Sequence, residues 1–130
     1  AVAAERAVEA ARAAGRRLPG LGHRVHSHDP RTPVLFDLAR EHGVAGAGVE
    51  FVTALQAAAG RLIKPLPINI DGALAAVLYD LGFPPEAGKL IFITARVAGI
   101  AAEVAEEHAR EKPMRIRIPV TYDGPPPRSR

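Results

Sequence analysis

Residues 84–110 begin Pro84-Pro85-Glu86-Ala87-Gly88-Lys89-Leu90-Ile91-Phe92-Ile93-Thr94-Ala95-Arg96-Val97-Ala98-Gly99-Ile100-Ala101-Ala102 and run on to Arg110; they hold the longest nearly apolar run in the chain. Alternation of β-branched and polar residues is poor here, as it is almost everywhere in the sequence. Proline is acceptable in a first helical turn, where its missing N–H has no partner to lose. The stretch therefore reads as one long helix from about Pro84 to Arg110. Its apolar segment, Leu90–Ala102, is interrupted by Arg96 and is too short to span a bilayer. Being apolar nearly all round, it is expected to be buried.

Working outward, the same helical spacing recurs upstream. Alanine-rich residues 1–17 carry Val2, Arg6, Glu9 and Arg12 at helical intervals, ended by Leu18-Pro19-Gly20. Thr32–His42 places Val34, Leu35, Leu38 and Ala39 on one face, with Gly43 as a stop. Ala47–Ala59 has an apolar side of Val49, Val52, Leu55 and Ala59. Pro65 and Pro67 break the chain, and a further helix runs from about Asp71 to Leu81, closed by Gly82. Only Met114–Thr121 suggests extended structure, and the closing Gly-Pro-Pro-Pro-Arg-Ser-Arg reads as a mobile tail. The fold class is all-α, with about five helices and an extended C-terminal tail. The expected organisation is one domain over residues 1–122, then a tail over 123–130.

At 130 residues the chain is long enough to bury a core without covalent staples. It has no cysteine, which excludes disulfides and thiolate metal sites and fits a cytoplasmic protein. Nothing resembles a signal peptide. The sequence starts Ala-Val-Ala-Ala, already inside a helical pattern, and reads as a piece of something longer or a processed product. The formal charge of +3 comes from the end of the chain, since six Lys/Arg face two acids from Arg110 onward. A basic tail with one aromatic, Tyr122, is not a nucleic-acid-binding surface, and neither nucleic acid nor membrane is expected as a partner.

Three places call for chemistry. Residues 18–31, Leu-Pro-Gly-Leu-Gly-His-Arg-Val-His-Ser-His-Asp-Pro-Arg, concentrate three of the five histidines on a loop. His23, His26 and His28 have a spacing that a loop could fold around a metal, although no companion His-x-x-x-His or carboxylate cluster accompanies them. Arg96 is the single charge in an apolar stretch, so it must face a carboxylate such as Asp71 or Asp80, carbonyls, or a ligand anion. Gly99, one turn on, leaves room for a close approach. Asp71 opens an apolar helix after Pro67-Ile68-Asn69-Ile70, which suits either a helix cap or a carboxylate base at a helix mouth. Gly20-x-Gly22 lacks the spacing and preceding strand of a dinucleotide site, and no phosphate loop or nucleophile elbow occurs.

Taken in order, these fragments resemble the C-terminal part of the citrate synthase family. Pro19-Gly20-Leu21-Gly22-His23-Arg24-Val25 resembles its Gly-x-Gly-His loop, followed by the matching Asp29-Pro30-Arg31. Pro67-Ile68-Asn69-Ile70-Asp71 is similar to its Pro-x-Asn-Val-Asp segment. Leu81-Gly82-Phe83-Pro84, Arg96-Val97-Ala98-Gly99 and Tyr122-Asp123-Gly124-Pro125 recur downstream in the family's order. The continuation Asp71-Gly72-Ala73-Leu74 looks more like citryl-CoA lyase and the lyase module of ATP-citrate lyase than like the synthases.

The resemblance implies an all-α small domain and chemistry that makes or breaks the carbon–carbon bond between acetyl-CoA and oxaloacetate. It implies Asp71 and His23 as catalytic residues, the first exchanging the acetyl methyl proton and the second bonding the oxaloacetate carbonyl. It implies Arg31 and Arg96 as clamps on substrate carboxylates, joined by Arg115 or Arg117 from a neighbouring subunit, with Arg117 taken forward. Coenzyme A would lie along Leu18, Pro19, Gly20, Leu21, Gly22 and Arg24, with Lys64 near a phosphate, and no metal is expected. The expected partners are oxaloacetate- or citrate-type molecules, CoA thioesters, and either a second copy or a complementing large-domain chain. The family's other catalytic histidine, in a Pro-x-His-Gly segment, does not occur in these 130 residues, so the residues alone are expected to be inactive. The alternative is a catalytically incomplete module of the same fold that binds CoA or carboxylates.

Overall fold

Five α-helices form where apolar residues recur at helical spacing: α1 (Val2–Ala13), α2 (Arg31–Glu41), α3 (Ala47–Leu62), α4 (Ile70–Asp80) and α5 (Ala87–Arg110). They are seen in a computed structural model that describes residues 1–112 and 119. The extended segment expected at 114–121 falls outside the described residues except for residue 119. Arg115, Arg117, Tyr122 and the tail from residue 123 lie outside them entirely. The described residues contain one isolated antiparallel bridge, Leu21 with Ile68, and no longer strand. Among them, no helix is long and apolar enough to cross a membrane.

The chain divides into two units, one ending at Thr94 and the other starting at Ala95. In the first, α3 is central and packs against α1 and α4, and α2 packs against α4. The alanine content lets these helices lie close together. Ala4 and Val8 of α1, Ala58 and Ala59 of α3, and Ala73 of α4 are almost fully buried. Val49, Val52 and Leu55 join them, so the face expected for α3 is the buried one. Where α3 meets α4, a methyl group on Gly48 would collide with the carbonyl oxygen of Ala76. An ion pair between Arg61 and Glu5, 2.6 Å long, closes the rim between α3 and α1.

The helix ends follow local chemistry. Gly43 and Gly82 take positive φ and close α2 and α4. The N-terminus of α3 has no side-chain cap of its own. Instead the N–H groups of Gly46, Gly48 and Val49 donate to the Asp80 carboxylate at 2.8, 2.6 and 3.1 Å. Burial pushes that carboxyl up, and the bonds from Gly48, Gly46 and Val49 outweigh it, holding it below its ordinary value. The end of α4 thus caps the start of α3 across the core.

The structure corrects four expectations. First, α1 stops at Ala13 with a turn at Gly15, short of Leu18, because Gly15 takes a left-handed conformation. Second, α2 turns Thr32, Phe36 and Ala39 inward while Val34 and Leu38 stay exposed. The Thr32 hydroxyl donates to the Ile68 carbonyl and sets that rotation. Third, Pro84 and Pro85 form the turn that precedes α5 rather than its first turn.

The fourth correction concerns α5 itself. None of its residues is buried, with Leu90 65% and Val97 57% exposed, and Arg96 is exposed as well. Ala87, Gly88, Ile91 and Phe92, in its first turns, are half-buried. At Gly99 an added methyl would meet nothing within 4 Å among the described residues, so none of them makes a close approach there.

Candidate functional site

The histidine loop is fastened to the start of α4 by backbone before any side chain acts. The Gly22 N–H donates to the Pro67 carbonyl at 2.7 Å, and the Asn69 N–H donates to the Gly20 carbonyl at 3.0 Å. Leu21 pairs with Ile68 between them. Gly20 and Gly72 meet backbone to backbone. A methyl group on Gly20 would lie 2.7 Å from the Gly72 Cα, and one on Gly72 would collide with the Gly20 carbonyl. Gly20 also holds φ at +81°, where an L side chain is strained. Both glycines are therefore required by space.

His23 is partly buried, and its ring is fixed from one side. The N–H groups of Val25 and His26 donate to its Nδ1 at 3.1 and 2.9 Å. A nitrogen that accepts twice carries no proton, so the hydrogen-bond network assigns the proton to Nε2. The ring thus presents one N–H donor on the side away from its own loop. His26 stacks obliquely on it with centroids 4.7 Å apart, and His28 contacts the Ser27 hydroxyl. Among the described residues, no group of three or more His, Asp or Glu comes together in a way that could hold a metal.

Arg31 begins α2 and its side chain is half-exposed, turned back on the buried carboxylate of Asp29. Its Nε and Nη2 donate to Oδ1 and Oδ2, each at 2.9 Å, in a two-point fork. The Arg31 N–H adds a third bond to Asp29, and the Ile70 N–H at the start of α4 a fourth. The Arg31 guanidinium holds the Asp29 carboxyl well below its ordinary value, against the burial that would raise it. The Arg31 and Ile70 N–H groups add to that lowering. In return the Arg31 guanidinium is raised, first by this hydrogen bond and then by the charges of Asp29 and Asp71. The Asp71 carboxylate therefore lies within electrostatic reach of Arg31.

Asp71 occupies the first turn of α4 and is exposed. It is not the cap: the Asn69 Oδ1 accepts from the N–H groups of Asp71 and Gly72, both at 3.1 Å. Asp71 also lines a pocket of about 330 Å³ with Leu74, Ala75, Gly88, Lys89 and Phe92. A carboxylate against an apolar floor, with an ammonium on the same rim, suits an uncharged carbon acid attached to an anionic carrier.

The loop bearing His23, with Leu18, Pro19, Gly20, Leu21, Gly22 and Arg24, is thus fastened by its backbone to the start of α4, where Asp71 lies within electrostatic reach of Arg31. Arg24 and Lys64 are exposed, and Pro19 lines a larger apolar groove of about 570 Å³ with Phe51, Val52 and Tyr79. Arg96 belongs to the second unit. Sequence reading missed Asn69 and Asp29 as builders of this site and Lys89 and Phe92 as its neighbours. For Asn69 a signal was available, since asparagine just before an apolar helix is a cap. For Lys89 and Phe92 no local pattern existed, because only the fold brings α5 beside the start of α4.

A model of the family described as citrate synthase, C-terminal domain, matches residues 2–117. The citrate/2-methylcitrate synthase of Bacillus subtilis is 33% identical over 114 residues, which is 84% of this chain and 30% of that protein. The glyoxysomal citrate synthase of Cucurbita maxima is 32% identical over 117 residues, covering 84% of this chain and 23% of that one. Among solved structures, citryl-CoA lyase from Hydrogenobacter thermophilus superposes with a TM-score of 0.78 at 38% identity. That match covers 97% of this chain and 52% of the lyase. Citrate synthase from Thermotoga maritima gives 0.69 at 31% identity, over 94% and 34%. The chain therefore spans about half of the lyase and under a third of the curated relatives.

Proposed function

The chain belongs to the citrate synthase family, and from that premise we propose that it forms the small-domain part of an enzyme joining or cleaving acetyl-CoA and oxaloacetate, on the citryl-CoA lyase side of the family. The observation that carries this reading is the fastening of the His23 loop to the start of α4, where Asp71 lies within electrostatic reach of Arg31, with a pocket of about 330 Å³ beside the carboxylate. The cover of 97% of this chain by a citryl-CoA lyase at 38% identity supports the lyase side.

In this reading Asp71 exchanges the methyl proton of the acetyl group, taking it in condensation and returning it in cleavage. Its place on an apolar rim suits a carboxylate that meets an uncharged carbon acid. The His23 Nε2–H bonds the oxaloacetate carbonyl, donating toward the oxygen as the new alkoxide forms and recovering that proton in cleavage. Arg31, pre-oriented by Asp29, offers its remaining N–H groups to a substrate carboxylate; family resemblance makes Arg96 a further carboxylate ligand and Arg117 one that reaches a neighbouring subunit's site. Coenzyme A runs along the backbone of Leu18–Arg24 with Lys64 toward a phosphate. The acetyl enolate still needs a second donor, which a large-domain half carrying Pro-x-His-Gly supplies. A homodimer or that complementing half is therefore the partner.

The test combines this chain with such a large-domain half. Release of oxaloacetate from citryl-CoA, and of CoA from acetyl-CoA plus oxaloacetate, are both measured. Product in either direction, abolished by Asp71→Asn, is the expected result. Failure of both assays, together with calorimetric affinity for CoA and oxaloacetate that Arg31→Ala and Arg96→Ala leave unchanged, would sink the proposal.

A further inference from the structure

We infer that Asn69 is a positioning residue: its carboxamide locks the loop bearing His23 to the helix turn bearing Asp71, so that proton donor and base keep one relative geometry. This rests on the roles proposed above for those two residues, and its test does not depend on turnover.

Both ends of one planar group are in use. The Oδ1 accepts from the N–H groups of Asp71 and Gly72, and the Nδ2 donates to the Gly22 carbonyl at 2.8 Å. That carbonyl belongs to the peptide whose nitrogen is His23's own, and the oxygen's two donors include the N–H of Asp71 itself. The two candidate reacting residues are thus separated by one rigid carboxamide and its hydrogen bonds. The amide orientation is fixed by its partners, because the reverse would set oxygen against oxygen and N–H against N–H.

The choice of asparagine is itself informative. Aspartate and serine cap helices about as well, and the positive end of the helix dipole favours aspartate. Aspartate offers no donor to Gly22, and serine only a single hydroxyl on a shorter side chain. A cap that needs only to begin α4 has no use for the NH₂ group, whereas a coupler does. Aspartate at this place would also turn an acceptor oxygen toward the Gly22 carbonyl and add a second negative charge beside Asp71. Asn69 backbone groups complete the fastening, the N–H donating to the Gly20 carbonyl and the carbonyl accepting from the Ala73 N–H.

The experiment compares the full chain with Asn69→Asp and Asn69→Ser, both of which keep an acceptor for the helix start. Imidazole ¹⁵N signals of His23 report its tautomer, and amide hydrogen exchange at Gly22, Val25 and His26 reports the loop. The expected result is unchanged helical content, with the Gly22 N–H, which bonds the Pro67 carbonyl, exchanging about fivefold to tenfold faster because the loop opens more easily by one net hydrogen bond. The His23 ring signals should move away from a pure Nε2–H form. Unchanged ring signals and unchanged Gly22 protection in a folded variant overturn the inference. If both variants unfold, scalar coupling across the hydrogen bond from Asn69 Nδ2 to the Gly22 carbonyl carbon is measured in the unmodified chain, where its absence overturns the inference and its presence supports it. In enzyme complemented with a large-domain half, the variants should lower kcat per folded active site, the folded fraction being measured by circular dichroism, and leave KM for CoA thioester nearly unchanged; a kcat that falls only in step with the folded fraction overturns the inference. These outcomes are separable from failure of the proposed reaction, because the ring and exchange measurements need no substrate.

Discussion

Asp29 and Asp80 are two acids with one kind of work, each holding the N-terminus of a helix other than its own. Both have folded-state values below the unfolded carboxylate value of about 3.9. A depressed value means stability that is complete above about pH 4 and lost as the pH falls through the folded-state value. Asp29→Asn should cost about 1–3 kcal/mol at neutral pH, because it removes a charged acceptor from a buried site. It should also flatten the acid limb of the stability curve; urea midpoints at pH 7 and pH 3 check both, and an equally steep acid loss in the variant would refute the assignment. At the carboxylate proposed to react, Asp71→Asn should lower kcat of the complemented enzyme by about 10²–10⁴-fold, measured in steady-state assays. His23, Arg31 and Asp71 stood out in the sequence as candidates because their motifs resemble the family's and follow in the same order. Asp29 was legible only as part of Asp-Pro-Arg; that its carboxylate is buried and bonds the Ile70 N–H depends on α4 arriving from 41 positions away.

The helices themselves were readable, since apolar periodicity and the stops at Gly43 and Gly82 are local facts. The rotation of α2 was not. Val34 and Leu38 are as apolar as a buried face requires, yet with the Thr32 hydroxyl bonded to Ile68 it is Phe36 that faces inward, Leu35 packing at the edge of the core. Glycines offer the clearest test at this scale, because their neighbours differ so sharply. Gly72→Ala forces the start of α4 against the Gly20 carbonyl, and should cost about 1–3 kcal/mol through backbone displacement. Gly60→Ala in α3 meets nothing within 4 Å, and should stabilise by about 0.4–1 kcal/mol through its helical preference and a less flexible unfolded chain. Urea unfolding of the pair decides the matter; equal effects would mean the contact of Gly20 with Gly72 is not tight.

For the whole molecule, length is the governing fact. A chain spanning about half of that citryl-CoA lyase carries, in the proposed reading, one carboxylate and one imidazole of a site that needs a further donor. The 130 residues alone should therefore release product at least about 10²-fold more slowly than when complemented, the effect of one missing electrostatic donor; comparable rates would show that the second histidine is dispensable. The apolar stripe of α5 belongs to the same account. It was read as buried because composition reveals that a surface seeks cover, whereas the identity of the cover is not written in the segment. One feature of the first unit also has a use in engineering. The histidine loop is pinned at Gly22 and again at Asp29, and the backbone bonds to the His23 ring end at His26. Ser27 and His28 thus form a short exposed handle between two anchors, and a reporter group inserted there would sit beside the clasp without loosening it.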